Sequence, residues 1–251
     1  MNKKNLIATI YLKNGKLVKS FKDHTEQDDL MERIHLYNDN GIDKIYLFDL
    51  SDNDEEHELN LHTMKEINRV AEIPVYAGGN INRLEDIKKI LYAGCKKAIL
   101  NPVKDVTAQI SKEGAMRFGK ESLALSIHNV DLFFKQKEAV ETNTSELIVL
   151  DPALTGTIGN VTDMPYSIIL GDTDNESVCT ALQSDETITG ISSRTISAPT
   201  TDVMAIKDYL QKQGIETGHL ESSCEWSEFK LNSDGLIPVI VQDYKTNDVL
   251  M

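Results

Sequence analysis

Short apolar runs alternate with helix-spaced apolar stripes along most of this chain, and that alternation constrains the fold more than any other feature. Leu6-Ile7-Ala8-Thr9-Ile10-Tyr11-Leu12 is too short for a helix, partly β-branched, and bounded by Asn14-Gly15, so it reads as a buried strand and a turn. Residues 25–40 read as a helix stopped by Gly41, because glycine adopts the left-handed geometry of a helix end without strain. Lys44 to Leu50 is a second strand, and Leu61, Met64, Ile67 and Val70 then recur at helical spacing. Ile73 to Ala77 is a third strand, closed by Gly78-Gly79-Asn80. Leu84, Ile87, Ile90 and Leu91 form the next stripe, ended by Gly94. Further strands follow at Lys97 to Leu100, Leu123 to Ile127, Glu146 to Leu150, Tyr166 to Leu170 and Thr187 to Ile191. Helices are expected over 106–118 and over 201–213, the latter with Val203, Ile206 and Leu210 inward.

Repeated strand–helix units imply a parallel sheet with helices outside it. About eight such units fit a (β/α)8 TIM-type barrel better than an open doubly wound sheet. Asp151 to Pro165 carries no helical stripe, so the second half of the barrel is expected to be somewhat degenerate. After Gly214 the pattern changes. Residues 220–229, around Trp226, read as a short helix, and residues 236–244 as a strand. Lys245-Thr246-Asn247-Asp248 reads as a turn, and Val249-Leu250-Met251 as the opening of another strand. The expected division is a barrel over 1–218 and a C-terminal extension over 219–251. Stopping in an apolar run, the sequence reads as the front of a longer protein.

Composition removes several function classes. With 26 basic against 40 acidic residues the net charge is −14, which disfavours a nucleic-acid surface. No apolar run approaches the roughly 20 residues of a membrane helix. Cys95, Cys179 and Cys224 lie far apart and odd in number, so reduced thiols and a cytoplasmic location are expected. His57 and His62 stand five residues apart rather than the four that would put both on one helix face, so no metal site is expected here.

Active sites of such barrels lie at the C-terminal ends of the strands. Those ends present Tyr11 with Lys19 beyond it, Asp49, Gly78-Gly79-Asn80, Asn101, His128, Asp151, Gly171-Asp172-Thr173-Asp174 and Ser192-Ser193-Arg194-Thr195. Gly78-Gly79-Asn80 before a helix is either a phosphate cradle of backbone N–H groups or a plain tight turn. The two carboxylates Asp172 and Asp174 repel a phosphate, and one of them suits a helix cap. Proton transfer needs a titratable group facing the cavity, and Asp49, His128 and Asp151 are in place for it. Asp49 serves equally well as an acceptor for loop backbone, and His128 as a structural residue.

Several stretches resemble two histidine-biosynthesis barrels, the cyclase subunit of imidazole glycerol phosphate synthase and the phosphoribosylformimino-AICAR-ribotide isomerase. These are Asn14-Gly15-Lys16-Leu17-Val18-Lys19, Phe48-Asp49-Leu50, Ile73-Pro74-Val75-Tyr76-Ala77-Gly78-Gly79-Asn80-Ile81, Glu85-Asp86 and Leu91-Tyr92-Ala93-Gly94-Cys95-Lys96-Lys97-Ala98. The likeness covers most of residues 5–127. It implies phosphate contacts at Lys19, Gly78, Gly79, Asn80 and Asn101. It also implies an acid/base pair of aspartates at the ends of strands one and five, where this chain has Tyr11 and His128. Asn80 replaces the third glycine of the family's phosphate turn, Pro102 follows Asn101, and an acidic stretch at Asp172 replaces the second phosphate turn. The family's scaffold is therefore expected without its chemistry.

Residues 229–251 resemble the opening of phosphoribosyl-AMP cyclohydrolase. That likeness implies a fusion in which this barrel precedes a cyclohydrolase, with or without a phosphoribosyl-ATP pyrophosphohydrolase after it. Zinc and magnesium would then belong only to the cyclohydrolase part, and none to this segment. The expected function is a non-catalytic barrel domain in histidine biosynthesis. The alternatives are an active isomerase- or cyclase-type enzyme using Asp49 and His128, and a module binding a phosphorylated ribose-type small molecule. Self-association through the fused domain is a further expectation; nucleic acid and membrane are not expected partners.

Overall fold

The first apolar run becomes strand β1, Asn5–Lys13, and its turn residues Asn14 and Gly15 take φ of 50° and 72° to fold it back on β2, Lys16–Val18. The computed structural model describes residues 3–27, 29–103, 106–219, 225–243 and 246–251. After the hairpin come α1 Leu30–Asp39, β3 Lys44–Asp49, α2 Asp54–Val70, β4 Val75–Gly78, α3 Leu84–Tyr92 and β5 Lys97–Leu100. They are followed by α4 Thr107–Phe118, β6 Leu123–Ile127, α5 Val130–Asn143, β7 Glu146–Val149, β8 Tyr166–Ile169, α6 Asn175–Gln183, β9 Ile188–Ser192 and α7 Val203–Lys212. Each barrel strand pairs in parallel with the next, and β9 returns to β1 from Asn5↔Gly190 to Ile7↔Ser192. Eight parallel strands thus close into the expected (β/α)8 barrel, with β2 as an antiparallel flap on β1.

Alternation along the strands divides the core in two. Outward side chains such as Leu6, Ile10, Leu47, Ala77, Leu125 and Val149 pack against the helices. Inward ones, Ile7, Tyr46, Phe48, Tyr76, Ile99, Ala124 and Ile148, fill the barrel interior. At the N-terminal end of the strands two lysines share one carboxylate. Lys97 Nζ is 2.6 Å from Glu146 and Lys44 Nζ 3.8 Å, and both ammonium groups lie beside the Tyr76 ring. Burial lowers the Lys44 pKa against the pull of Glu146.

Several boundaries differ from the sequence reading. Helix α1 starts at Leu30 rather than residue 25, because the Asp29 side chain accepts the N–H groups of Met31 and Glu32, while Glu26 bridges to Val18. Helix α5 escaped the sequence reading because it buries only Phe133 and Val140, too sparse for a visible stripe. The nine-residue α6 was too short to show a stripe, although Asp174 does cap it by accepting the Ser177 N–H. Between β7 and β8 the expected gap holds two 3-10 turns, Pro152–Leu154 and Ile158–Asn160.

Residues 1–219 and 220–251 form separate compact units. In the second, residues 220–224 of the expected helix, Cys224 among them, and Tyr244 and Lys245 lie outside the described residues. What is described of that helix is a single 3-10 turn, Trp226–Glu228. Among the described residues the expected pair of strands is reduced to an isolated bridge, Gln242↔Val249. Val239, Ile240, Val249 and Leu250 are exposed, and two short segments without a layer to pack on do not sustain a sheet. Among the described residues no helix is long and apolar enough to cross a membrane.

Candidate functional site

The mouth of the barrel, at the C-terminal ends of the strands, is built around an aromatic cluster. Tyr11 from the end of β1 lies near-parallel to Phe48 from β3, with centroids 6.0 Å apart and an interplanar angle of 22°. Phe21, from the segment between β2 and α1, covers both at 4.7 and 5.2 Å. Burial raises the Tyr11 hydroxyl pKa, and the opposing pull of Arg194 places that cation nearby. Where the resemblance implies a carboxylate, the chain sets a phenol in contact with other rings.

Asp49 is the hub of the surrounding loops. Its carboxylate, wholly inaccessible, accepts the Ser51 N–H at 2.8 Å, His57 Nδ1 at 2.5 Å and Asn60 Nδ2 at 2.5 Å. Asn60 in turn accepts the Gly15 N–H and donates to the Leu12 carbonyl, which fastens the β1–β2 hairpin. Ser51 Oγ accepts from Asn80 Nδ2 at 2.8 Å, which fastens the turn after β4. The hydrogen bond to Asp49 raises the His57 pKa, with burial opposing it. Among the described residues His57 Nε2 is buried with no hydrogen-bond partner.

The paired glycines answer to close packing. A Cβ on Gly78 would meet the Ile99 carbonyl, and one on Gly79, at φ 99°, would meet the Asp49 carbonyl. At the start of α3 the Asp86 carboxylate already accepts the N–H groups of Asn82 and Arg83, at 2.9 and 3.1 Å. An anion arriving there would face that carboxylate.

Two cavities open at the mouth. One, of about 240 Å³, is lined by Asp49, Gly79, Asn80, Asn101 and Ser126, with Phe21 and Phe48 as part of its wall. The other, of about 360 Å³, lies between β1, α1 and the loops after β8 and β9, and Lys19, Arg33 and Arg194 line it. The structure therefore gathers Asp49, Gly79, Asn80 and Asn101 on one side and Lys19 on the other. Gly78 sits beneath the first group in β4. His128 stands exposed beyond β6 and lines neither cavity. Asp151 accepts the Ala153 N–H and caps the turn that follows it. Among the described residues no group of three or more His, Cys, Asp and Glu side chains could hold a metal ion.

Phe21, Arg33 and the His57–Asn60 pair were not singled out in the sequence. Phe21 is an isolated ring in an otherwise polar stretch, and Arg33 shares the inward face of α1 with Ile34 and Tyr37. Both signals were legible. The partnership of His57 with Asp49 was not, since it depends on how α2 lies against β3.

The family described as histidine biosynthesis protein matches residues 5–154, from β1 through β7 and the turn after it. Imidazole glycerol phosphate synthase subunit HisF of Halalkalibacterium halodurans is 31% identical over 126 residues, covering 49% of this chain and 50% of that one. The same subunit of Helicobacter hepaticus is 32% identical over 126 residues, again 49% and 50%. The chain spans about half the length of these relatives in each alignment. The subunit of Bacillus pumilus aligns over 250 residues at 22% identity, covering 86% of this chain and 99% of its own. A closed (β/α)8 barrel with this family match over more than half its length places the chain in the histidine biosynthesis protein family.

Proposed function

We propose that this barrel holds a phosphorylated ribose-type small molecule at its mouth without transforming it, as a non-catalytic domain in histidine biosynthesis. One observation carries the reading: among the described residues no titratable pair faces the cavities in a state to move protons. Tyr11 is stacked into the aromatic cluster, the Asp49 carboxylate is filled by three donors, and His128 is exposed and lines neither cavity. General acid–base catalysis needs its groups within reach of the reacting atoms. Lys19, Asn80 and Asn101 remain as ligand contacts. The likeness of residues 229–251 to phosphoribosyl-AMP cyclohydrolase supports placing the barrel ahead of that enzyme, whose zinc would activate the hydrolytic water. We place the protein in the cytoplasm, which suits the free thiols of Cys95 and Cys179.

A second reading is an active cyclase-type enzyme with displaced catalytic groups. It is favoured by the alignment over 99% of the Bacillus pumilus HisF subunit. Incubating the whole chain with the substrate of imidazole glycerol phosphate synthase and ammonium separates the two. The proposal expects no turnover above a buffer blank. Turnover abolished by Asp49→Asn or His128→Ala would establish the second reading instead.

A further inference from the structure

We propose that Asn14 is a deamidation site kept latent by Asn60, whose side chain holds the Gly15 N–H that would otherwise close a succinimide on the Asn14 amide. The reaction needs no ligand at the mouth. Two Asn-Gly pairs occur in the chain, Asn14-Gly15 and Asn40-Gly41. Glycine has no Cβ to crowd its own backbone nitrogen, so that nitrogen reaches the preceding side chain with the least hindrance. Hydroxide takes the proton of the Gly15 N–H, and the nitrogen attacks Asn14 Cγ. The N–Cγ bond forms, the Cγ–Nδ2 bond breaks, and ammonia leaves with a proton drawn from water. Water then opens the ring at either carbonyl, giving aspartate, or isoaspartate with one more carbon in the backbone.

The fold treats the two pairs differently. At Asn40 the side-chain amide under attack is held. Its Nδ2 donates to the Thr201 carbonyl at 2.6 Å, and its backbone N–H to the Leu36 carbonyl at 2.9 Å. At Asn14 the side chain stands exposed on the hairpin, and the attacking nitrogen is held instead. The Gly15 N–H donates to Asn60 Oδ1 at 2.7 Å, and the Gly15 carbonyl accepts the Thr63 hydroxyl at 3.3 Å. Asn60 is wholly buried, and its Nδ2 donates to Asp49 at 2.5 Å and to the Leu12 carbonyl at 3.3 Å. Both ends of that amide are used, which keeps its oxygen turned to Gly15. An N–H bonded in this way meets hydroxide only when the hairpin opens locally.

The position gives the reaction a consequence. Asn14 and Gly15, at φ of 50° and 72°, form the two-residue turn that sets the register Lys13↔Lys16, Leu12↔Leu17 and Tyr11↔Val18. An isoaspartate at 14 lengthens that turn, draws Gly15 off Asn60 and brings a carboxylate between Lys13 and Lys16. It loosens the hairpin that carries the chain on to Lys19 and Phe21.

Peptide mapping by mass spectrometry, on the whole chain at mildly alkaline pH, reads Asn14 and Asn40 separately. In urea both are expected to deamidate at comparable rates, and in the folded parent both far more slowly. Asn60→Ala, with its circular dichroism unchanged, is expected to speed Asn14 about fivefold, the worth of one hydrogen bond, and to leave Asn40 at the parent rate. An Asn14 that reacts as fast folded as in urea would overturn the proposal. So would an Asn14 rate unmoved by Asn60→Ala, or Asn14 and Asn40 rising together in the folded variant, which reports general loosening. Hydrogen exchange of the parent, read by NMR, needs no variant. The Gly15 N–H is expected to be protected relative to an unstructured glycine, and a Gly15 that exchanges freely would overturn the proposal as well.

Discussion

Replacing Asp49 with alanine removes the acceptor shared by three donors and strands the two that are buried. The carboxylate is inaccessible, and the His57 and Asn60 groups bonded to it are themselves buried. A buried donor left without a partner costs about 1–3 kcal/mol, so these two together cost about 2–6 kcal/mol. The Ser51 N–H is only part-buried and can turn to water. A central value of about 4 kcal/mol corresponds to a fall in Tm of roughly 8–16 °C for a domain of this size. Urea denaturation followed by circular dichroism gives the number directly, provided the slope m is unchanged. Asp49→Asn keeps one carbonyl oxygen and is expected to lose roughly half as much. If Asp49→Ala lies within about 1 kcal/mol of the parent, the carboxylate is not what holds the mouth loops, and the reasoning fails.

Other consequences follow from the same geometry. The hydrogen bond to Asp49 raises the His57 pKa above its ordinary 6.5, so its stabilising contribution is complete below pH 6.5 and is lost as pH rises through the folded value. The denaturation midpoint of the parent minus that of His57→Gln should therefore shrink from acid to alkaline pH, and a difference that grows would contradict the assignment. Gly79→Ala, with its Cβ against the Asp49 carbonyl at φ 99°, should cost several times more than Gly119→Ala, at φ 82° with nothing within 4 Å; equal losses in thermal melts would show the turn to be slack. Glu146→Gln takes the shared carboxylate from the buried Lys44 and the half-buried Lys97 and is expected to cost about 3–5 kcal/mol. Lys44→Met should cost far less, because Lys97 keeps its 2.6 Å partner; the reverse order in urea titrations would count against the described floor of the barrel.

The barrel was legible in the sequence because its physics is local and periodic. Strands such as 6–12 and 44–50, buried on both faces, write themselves as continuous apolar runs, and α3 and α7 as stripes ended by Gly94 and Gly214. Helix α5 was not legible, because it buries Phe133 and Val140 alone. In the extension, apolar composition suggested strands, but strands need a layer to pack on, and Val239 and Ile240 lie exposed. At the mouth, the residue types at the strand ends were readable one by one. Their associations were not. That Asp49 is filled by His57 and Asn60 depends on how α2 lies against β3, that Phe21 folds back over Tyr11 depends on the path of the chain after β2, and that Arg33 and Arg194 share a cavity depends on elements far apart in sequence.

The central claim is that this mouth binds but does not transform. The most direct test is a turnover assay of the whole chain with the substrate of imidazole glycerol phosphate synthase and ammonium, run at saturating substrate with the buffer blank subtracted. The account predicts no product above the blank, alongside heat of binding for a phosphorylated ribose ligand. Product formation that scales with protein concentration and disappears in Asp49→Asn or His128→Ala would contradict it.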